Sequence, residues 1–159
     1  MRYAQAASAV CIRLTLLDVL VEPPAPACAP LRPPRLRPAR GDLAGRRLRR
    51  PGQHRVYLVD PAGYRRRVPD QAVYNRIFRD WSGIDEGLDP DDVPSRPPFT
   101  SATMLVRGDA SSAVFLLDQG RKRLVPSSAS MSKYWFDSER VHIVRQVLMD
   151  HFPVGHDWE

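Results

Sequence analysis

Two runs of consecutive cations are the first residues in this chain whose types and spacing suggest chemistry. Arg65-Arg66-Arg67 and Arg121-Lys122-Arg123 occupy corresponding strands, and Arg46, Arg47, Arg49 and Arg50 lie on a segment expected beside the first. With Tyr57 and Tyr64 interleaved, they are the residue types that hold phosphates and stack bases on a sheet surface. A plainer reading competes. An arginine that recurs alongside Asp60/Asp118 and Asp80/Asp137 is a repeated ion pair that locks turn to strand. Neither a glycine-rich phosphate loop nor the aromatic pattern of an RNA-recognition strand is present. The ion-pair reading is preferred, and nucleic-acid binding through the Arg-rich hairpin strands stands as the alternative.

Other constellations carry less. The acidic run Asp85, Glu86, Asp89, Asp91, Asp92 offers oxygens for calcium but lacks the alternating ligands and central glycine of an EF-hand loop. His142, His151 and His156, with Asp150 and Asp157, are close in sequence but have no spacing that converges three or four ligands on zinc. No metal site and no cofactor is therefore expected. No Gly-x-Ser-x-Gly elbow exists, the serines at 127, 128, 130 and 132 read as cap and helix surface, and Asp80 and Asp137 each sit beside aromatics at a helix end. No catalytic residue is assigned, and the chain reads as a non-enzyme. Most aromatics at helical spacing belong to a core. Trp81 lies just past its helix stripe and is the best candidate for touching a ligand, followed by Tyr64, Arg65 and Arg67.

The elements that must position these residues occur twice. Val56, Leu58 and Asp60 match Val114, Leu116 and Asp118 at a spacing of 58; Gly63, Arg66, Val68, Pro69, Ala72 and Asp80 match Gly120, Arg123, Val125, Pro126, Ala129 and Asp137 at 57. The one-residue slip falls inside a turn, where a deletion disturbs least. A period above fifty residues repeats a whole supersecondary unit. Each unit reads as a short strand, a hairpin and a short helix. Asp60-Pro61-Ala62-Gly63 turns the first hairpin and Asp118-Gln119-Gly120 the second. Asp70 and Ser127 cap the helices, with Val73, Tyr74, Ile77 and Phe78 as the first apolar stripe and Met131, Tyr134 and Trp135 as the second. Val141–Val144 reads as a strand, and Arg145–His151 as a helix with Val147, Leu148 and Phe152 inward. One such unit buries too little to stand alone comfortably, so the two are expected to share one α+β domain.

Composition fits a globule with a biased tail. Residues 1–40 carry a net +4, residues 41–100 +2 and residues 101–159 zero, so most of the overall +6 lies before the repeats. The expected organisation is 1–40 Pro-rich and disordered, 41–100 repeat one and 101–159 repeat two. Residues 1–22 are faintly signal-like, but Arg13 and Asp18 interrupt the apolar run; a short amphipathic helix or a misassigned start are the other readings. Cys11 and Cys28 both fall before the repeats, so neither repeat has a disulfide framework. No apolar run is long enough for a membrane span.

The phrase VYLVD-PAGYRRRVP, then Tyr74, Phe78 and Asp80-Trp81, resembles a tandem repeat module of bacterial and archaeal secreted or surface proteins. Repeat two carries that module's tail as Val141, Ile143, Val144, Leu148, Pro153 and Gly155, but has Ser138 in place of the tryptophan; repeat one lacks a clear Pro-x-Gly. The resemblance implies an exported or cell-surface location, with a cytoplasmic one as the alternative. It also implies a non-catalytic binding or structural unit whose partner is another protein, a cell-wall component or a carbohydrate polymer.

Overall fold

Repeat one folds as a three-stranded meander followed by a helical crossover. Strands β1 (Arg47–Arg49), β2 (Val56–Val59) and β3 (Arg65–Arg67) pair antiparallel, helix α1 spans Gln71–Ile77, and β4 (Ile84–Asp85) returns parallel to β1. Repeat two does the same with β5 (Met104–Gly108), β6 (Val114–Asp118), β7 (Arg121–Val125), α2 (Ser128–Lys133) and β8 (His142–Val144), then adds α3 (Gln146–Asp150). The resulting sheets have strand orders β3-β2-β1-β4 and β7-β6-β5-β8. This is a computed structural model, and it describes residues 37–159. The expectations for the signal-like start, most of the proline-rich stretch and both cysteines lie outside the described residues. The fold is α+β, built from two similar units.

Local chemistry explains the elements. Asp70 accepts the Val73 N–H (2.8 Å) and Ser127 accepts the Ser130 N–H (3.0 Å), each filling an orphan donor at a helix start. Asp89 caps a 3₁₀ turn at Pro90–Asp92, where proline's missing N–H is no loss. In the second hairpin Gln119 and Gly120 both adopt positive φ (51° and 69°), the two-residue geometry whose twist suits antiparallel strands. In the first hairpin only Gly63 does, at φ 79°.

The repeat runs further than the hairpin. Pro94–Phe99 lies alongside β3, with Arg65 N–H donating to the Pro94 carbonyl and Phe99 N–H to that of Arg67. Pro153–Trp158 lies alongside β7 in the same way, with Lys122 N–H donating to Pro153 and Trp158 N–H to Leu124. Pro94 and Phe99 therefore correspond to Pro153 and Trp158 at a spacing of 59. Arg96 stands where repeat two has Gly155, so repeat one does possess the tail, in altered form.

One core joins the two units. Val56, Leu58, Val73, Tyr74, Ile77 and Phe78 pack with Leu105, Leu116, Met131, Tyr134, Phe136 and Trp158 in a single buried cluster. The helix ends cross there: Arg79 N–H donates to the Trp135 carbonyl and Asp137 N–H to that of Ile77, an antiparallel bridge pairing Phe78 with Phe136. A smaller cluster of Leu43, Leu48, Val59 and Val93 covers the other face of sheet one, so β2 is buried on both sides.

Two apolar assignments differ from the sequence reading. In the second stripe Trp135 is only half-buried, at φ 60°, and Phe136 occupies the core position. In α3 the inward residue is Met149, whereas Val147 and Leu148 are 59% and 55% exposed. That helix is barely more than one turn, too short for periodicity to select a face.

Candidate functional site

The acidic run and the first basic strand are each other's partners. Because β1 and β4 are parallel neighbours, Arg46 reaches Asp85 (2.9 Å), Arg49 reaches Glu86 and Arg50 reaches Asp89 and Asp91. Arg65 also pairs with Asp91, its guanidinium lying over the Tyr57 ring. Hydrogen bonding from Arg65 holds the Asp91 carboxyl below its ordinary range. These oxygens and guanidinium groups satisfy one another, which leaves little for calcium or for a phosphate backbone. Among the described residues no three His, Cys, Asp or Glu side chains converge as metal ligands.

The recurring Arg–Asp pair spans the two copies rather than one. Arg66 on β3 pairs with Asp118 at the end of β6, both side chains nearly fully buried. The sequence reading placed each pair within its own hairpin. The turn residue Asp60 is instead held by the Tyr64 N–H (2.9 Å) and by Arg96 (3.2 Å). Asp80 and Asp137 each accept an N–H two residues on, from Ser82 and Glu139, as turn caps. The bonds from Ser82 lower the Asp80 carboxyl.

Of the four residues proposed to touch a ligand, Trp81 and Arg67 meet in one groove. This cleft, of about 320 Å³, is also lined by His54, Arg55, Arg49 and Tyr74. Trp81 is 39% exposed, stacks on Tyr74 with ring centroids 3.8 Å apart, and donates its indole N–H to Asn75 Oδ1 (2.9 Å). Arg55, Arg67 and His54 are exposed and have no acidic partner among the described residues. Tyr64 and Arg65 lie elsewhere: the Tyr64 ring is covered by Arg96 at 4.1 Å, and Arg65 is committed to Asp91.

Behind the groove stands Arg47, which sequence reasoning grouped with its charged neighbours. It is buried, and its guanidinium donates to the Tyr74 hydroxyl (2.5 Å), to the Asp80 carbonyl (2.9 Å) and to the Ser82 carbonyl. It also lies 4.7 Å from the Trp135 ring. Burial pulls the Arg47 pKa down and pushes that of Tyr74 up. Arg47 thus fixes the corner from which Trp81 projects. His54 and Arg55 were missed as site residues; they sit in an unpatterned loop before β2, where sequence carries no directional signal.

A scan against protein-family models, a search of curated proteins and a search of solved structures each found no match.

Proposed function

We propose that this chain is a non-catalytic binding module of an exported or cell-surface protein, and that it takes an acidic polysaccharide in the groove walled by Trp81. The observation that carries the reading is the meeting, in one cleft, of a partly exposed tryptophan with two arginines that have no internal ion-pair partner among the described residues, Arg55 and Arg67, beside the His54 imidazole. An indole face suits the C–H surface of a sugar ring, and planar guanidinium groups suit carboxylates in a bidentate manner. Tyr74 and Asn75 already fix the indole, so little side-chain freedom is lost when a ligand lands on it. Of the strand arginines proposed for nucleic acid, Arg46, Arg49, Arg50 and Arg65 are spent on Asp85, Glu86, Asp89 and Asp91, and Arg66 on Asp118, which favours the saccharide over a polyphosphate backbone.

Calorimetric titration of the full chain with a uronic-acid oligosaccharide, a neutral oligosaccharide and a single-stranded oligonucleotide tests this. The acidic sugar should bind best, and Trp81→Ala and Arg67→Gln should each weaken it about tenfold, equivalent to ~1.4 kcal/mol. Tighter binding of the oligonucleotide, with affinity falling steeply as salt rises, would replace the reading with the nucleic-acid alternative. Export rests on the resemblance to surface modules and on the signal-like start. Mass spectrometry of the mature N-terminus should show residues removed ahead of the repeats; an intact Met1 in cell extract would count against export.

A further inference from the structure

Arg66 and Arg123 are the same residue of the repeat, yet only one of them is satisfied. Arg66 donates through Nε to the Pro97 carbonyl (3.1 Å) and through its terminal nitrogen to Asp118. By repeat symmetry Arg123 should meet Asp60 and the carbonyl of His156. Neither bond forms. Asp60 is taken by Arg96, the residue that corresponds to Gly155. Arg123 has no hydrogen-bond acceptor among the described residues, and its Nε is shut off from solvent. The substitution that separates Arg96 from Gly155 thus breaks one of two equivalent pairs and leaves a guanidinium unmatched.

That guanidinium faces a cleft of about 410 Å³ between the repeats, lined by Asp60, Arg66, Arg96, Arg123, His156 and Asp157. Within it Arg96 cancels Asp60, and Arg66 is matched by Asp118 behind the wall. Asp157 makes no ion pair with Arg123 within 4.0 Å. Gly155 keeps room for the side chain: a Cβ there would stand 3.0 Å from Arg123 Cγ and 3.2 Å from its Cζ. Burial, reinforced by neighbouring Arg66, lowers the Arg123 pKa against the opposing influence of Asp118 and Asp60. Arg121 lines the adjoining cavity together with Arg123 and His156, extending the arginine wall outward.

We propose that this inter-repeat cleft is an oxyanion site, in which Arg123 takes the carboxylate or phosphate group of a small ligand where its counterpart Arg66 takes Asp118. A planar guanidinium with unused donors is matched by either group, and both sources share that recognition chemistry. The site shares no lining residue with the Trp81 groove, although β3 supplies Arg66 to one and Arg67 to the other, and the proposal does not depend on the groove.

The test is titration of the full chain at low ionic strength with inorganic phosphate and, separately, acetate. Binding of at least one anion is expected, with phosphate preference pointing to phosphate esters and acetate preference to carboxylates. Arg123→Gln should weaken binding tenfold or more, whereas Trp81→Ala should leave it unchanged. If the Arg123 variant does not fold, the Nε–H resonance of Arg123 in the unaltered protein supplies the answer, since it should shift on anion addition. The proposal is overturned if neither anion binds at millimolar concentration, if folded Arg123→Gln binds equally well, if the Nε–H signal stays put, or if Trp81→Ala abolishes binding. That last outcome would assign the anion to the groove.

Discussion

Asp118→Ala is expected to destabilise the protein by about 3–5 kcal/mol, the range for removing one partner of a buried ion pair. One carboxylate oxygen accepts from Arg66, and the other from the Thr103 hydroxyl (2.8 Å) and the Thr100 N–H (3.4 Å). Without it, the Arg66 guanidinium stays buried against the Phe99 ring with one carbonyl as its acceptor. Asp60→Ala is the internal comparison. Its ion-pair partner Arg96 is 43% exposed and can rehydrate, so the loss should be clearly smaller. Urea denaturation of both variants measures the difference. A cost below about 1 kcal/mol for Asp118→Ala would show that the pair does not hold the repeats together.

Gly63→Ala is the second large effect. A side chain at φ 79° costs about 1–2 kcal/mol in backbone strain alone. In addition, a Cβ on Gly63 would fall 2.4 Å from the Gly41 nitrogen and 2.5 Å from the Arg40 carbonyl carbon, backbone atoms that cannot swing aside. Overpacking of that kind adds about 1–3 kcal/mol, or detaches the Arg40–Leu43 segment from the hairpin. Gly120 also has positive φ, but a Cβ there meets nothing within 4 Å, so Gly120→Ala should show only the strain. Thermal melts should rank Gly63→Ala well below Gly120→Ala. Equal melting temperatures would mean that Gly63 is not pressed against residues 40–41.

What the sequence reveals here is what is encoded locally. Asp70, Ser127 and Asp89 cap as their neighbours demand, and both turns carry glycine at a left-handed position. The repeat offsets of 57 and 58 foretell two similar units. Pairing at long range is a different matter. Arg66 and Asp118 are 52 residues apart, and nothing in either hairpin says that the turn carboxylate belongs to the other copy's strand. The cancellation of Arg46, Arg49 and Arg50 by the acidic run likewise requires knowing that β4 returns beside β1. Trp158 is hard to recognise as a core residue because its counterpart is Phe99 at a third offset, 59. Pro94 and Pro153 share that offset, as do Arg96 and Gly155. For the candidate groove, Trp81 and Arg67 are legible because neither recurs in repeat two; Tyr64 shares that trait but serves the scaffold, as does Arg65, whose counterpart is the cation Lys122.

The crossing of the two helix ends has a consequence for how the molecule behaves on dilution. Ile77 with Asp137 and Trp135 with Arg79 form reciprocal bonds, residue for residue, as an isologous contact between separate subunits would. Here one chain supplies both sides through the short connection from Phe99, the end of the repeat-one tail, to Met104. Joining the halves turns association into an intramolecular step whose effective concentration is set by that tether. The two units therefore stay together at any protein concentration, and one half is free to lose a residue such as the equivalent of Arg96 while the other retains it.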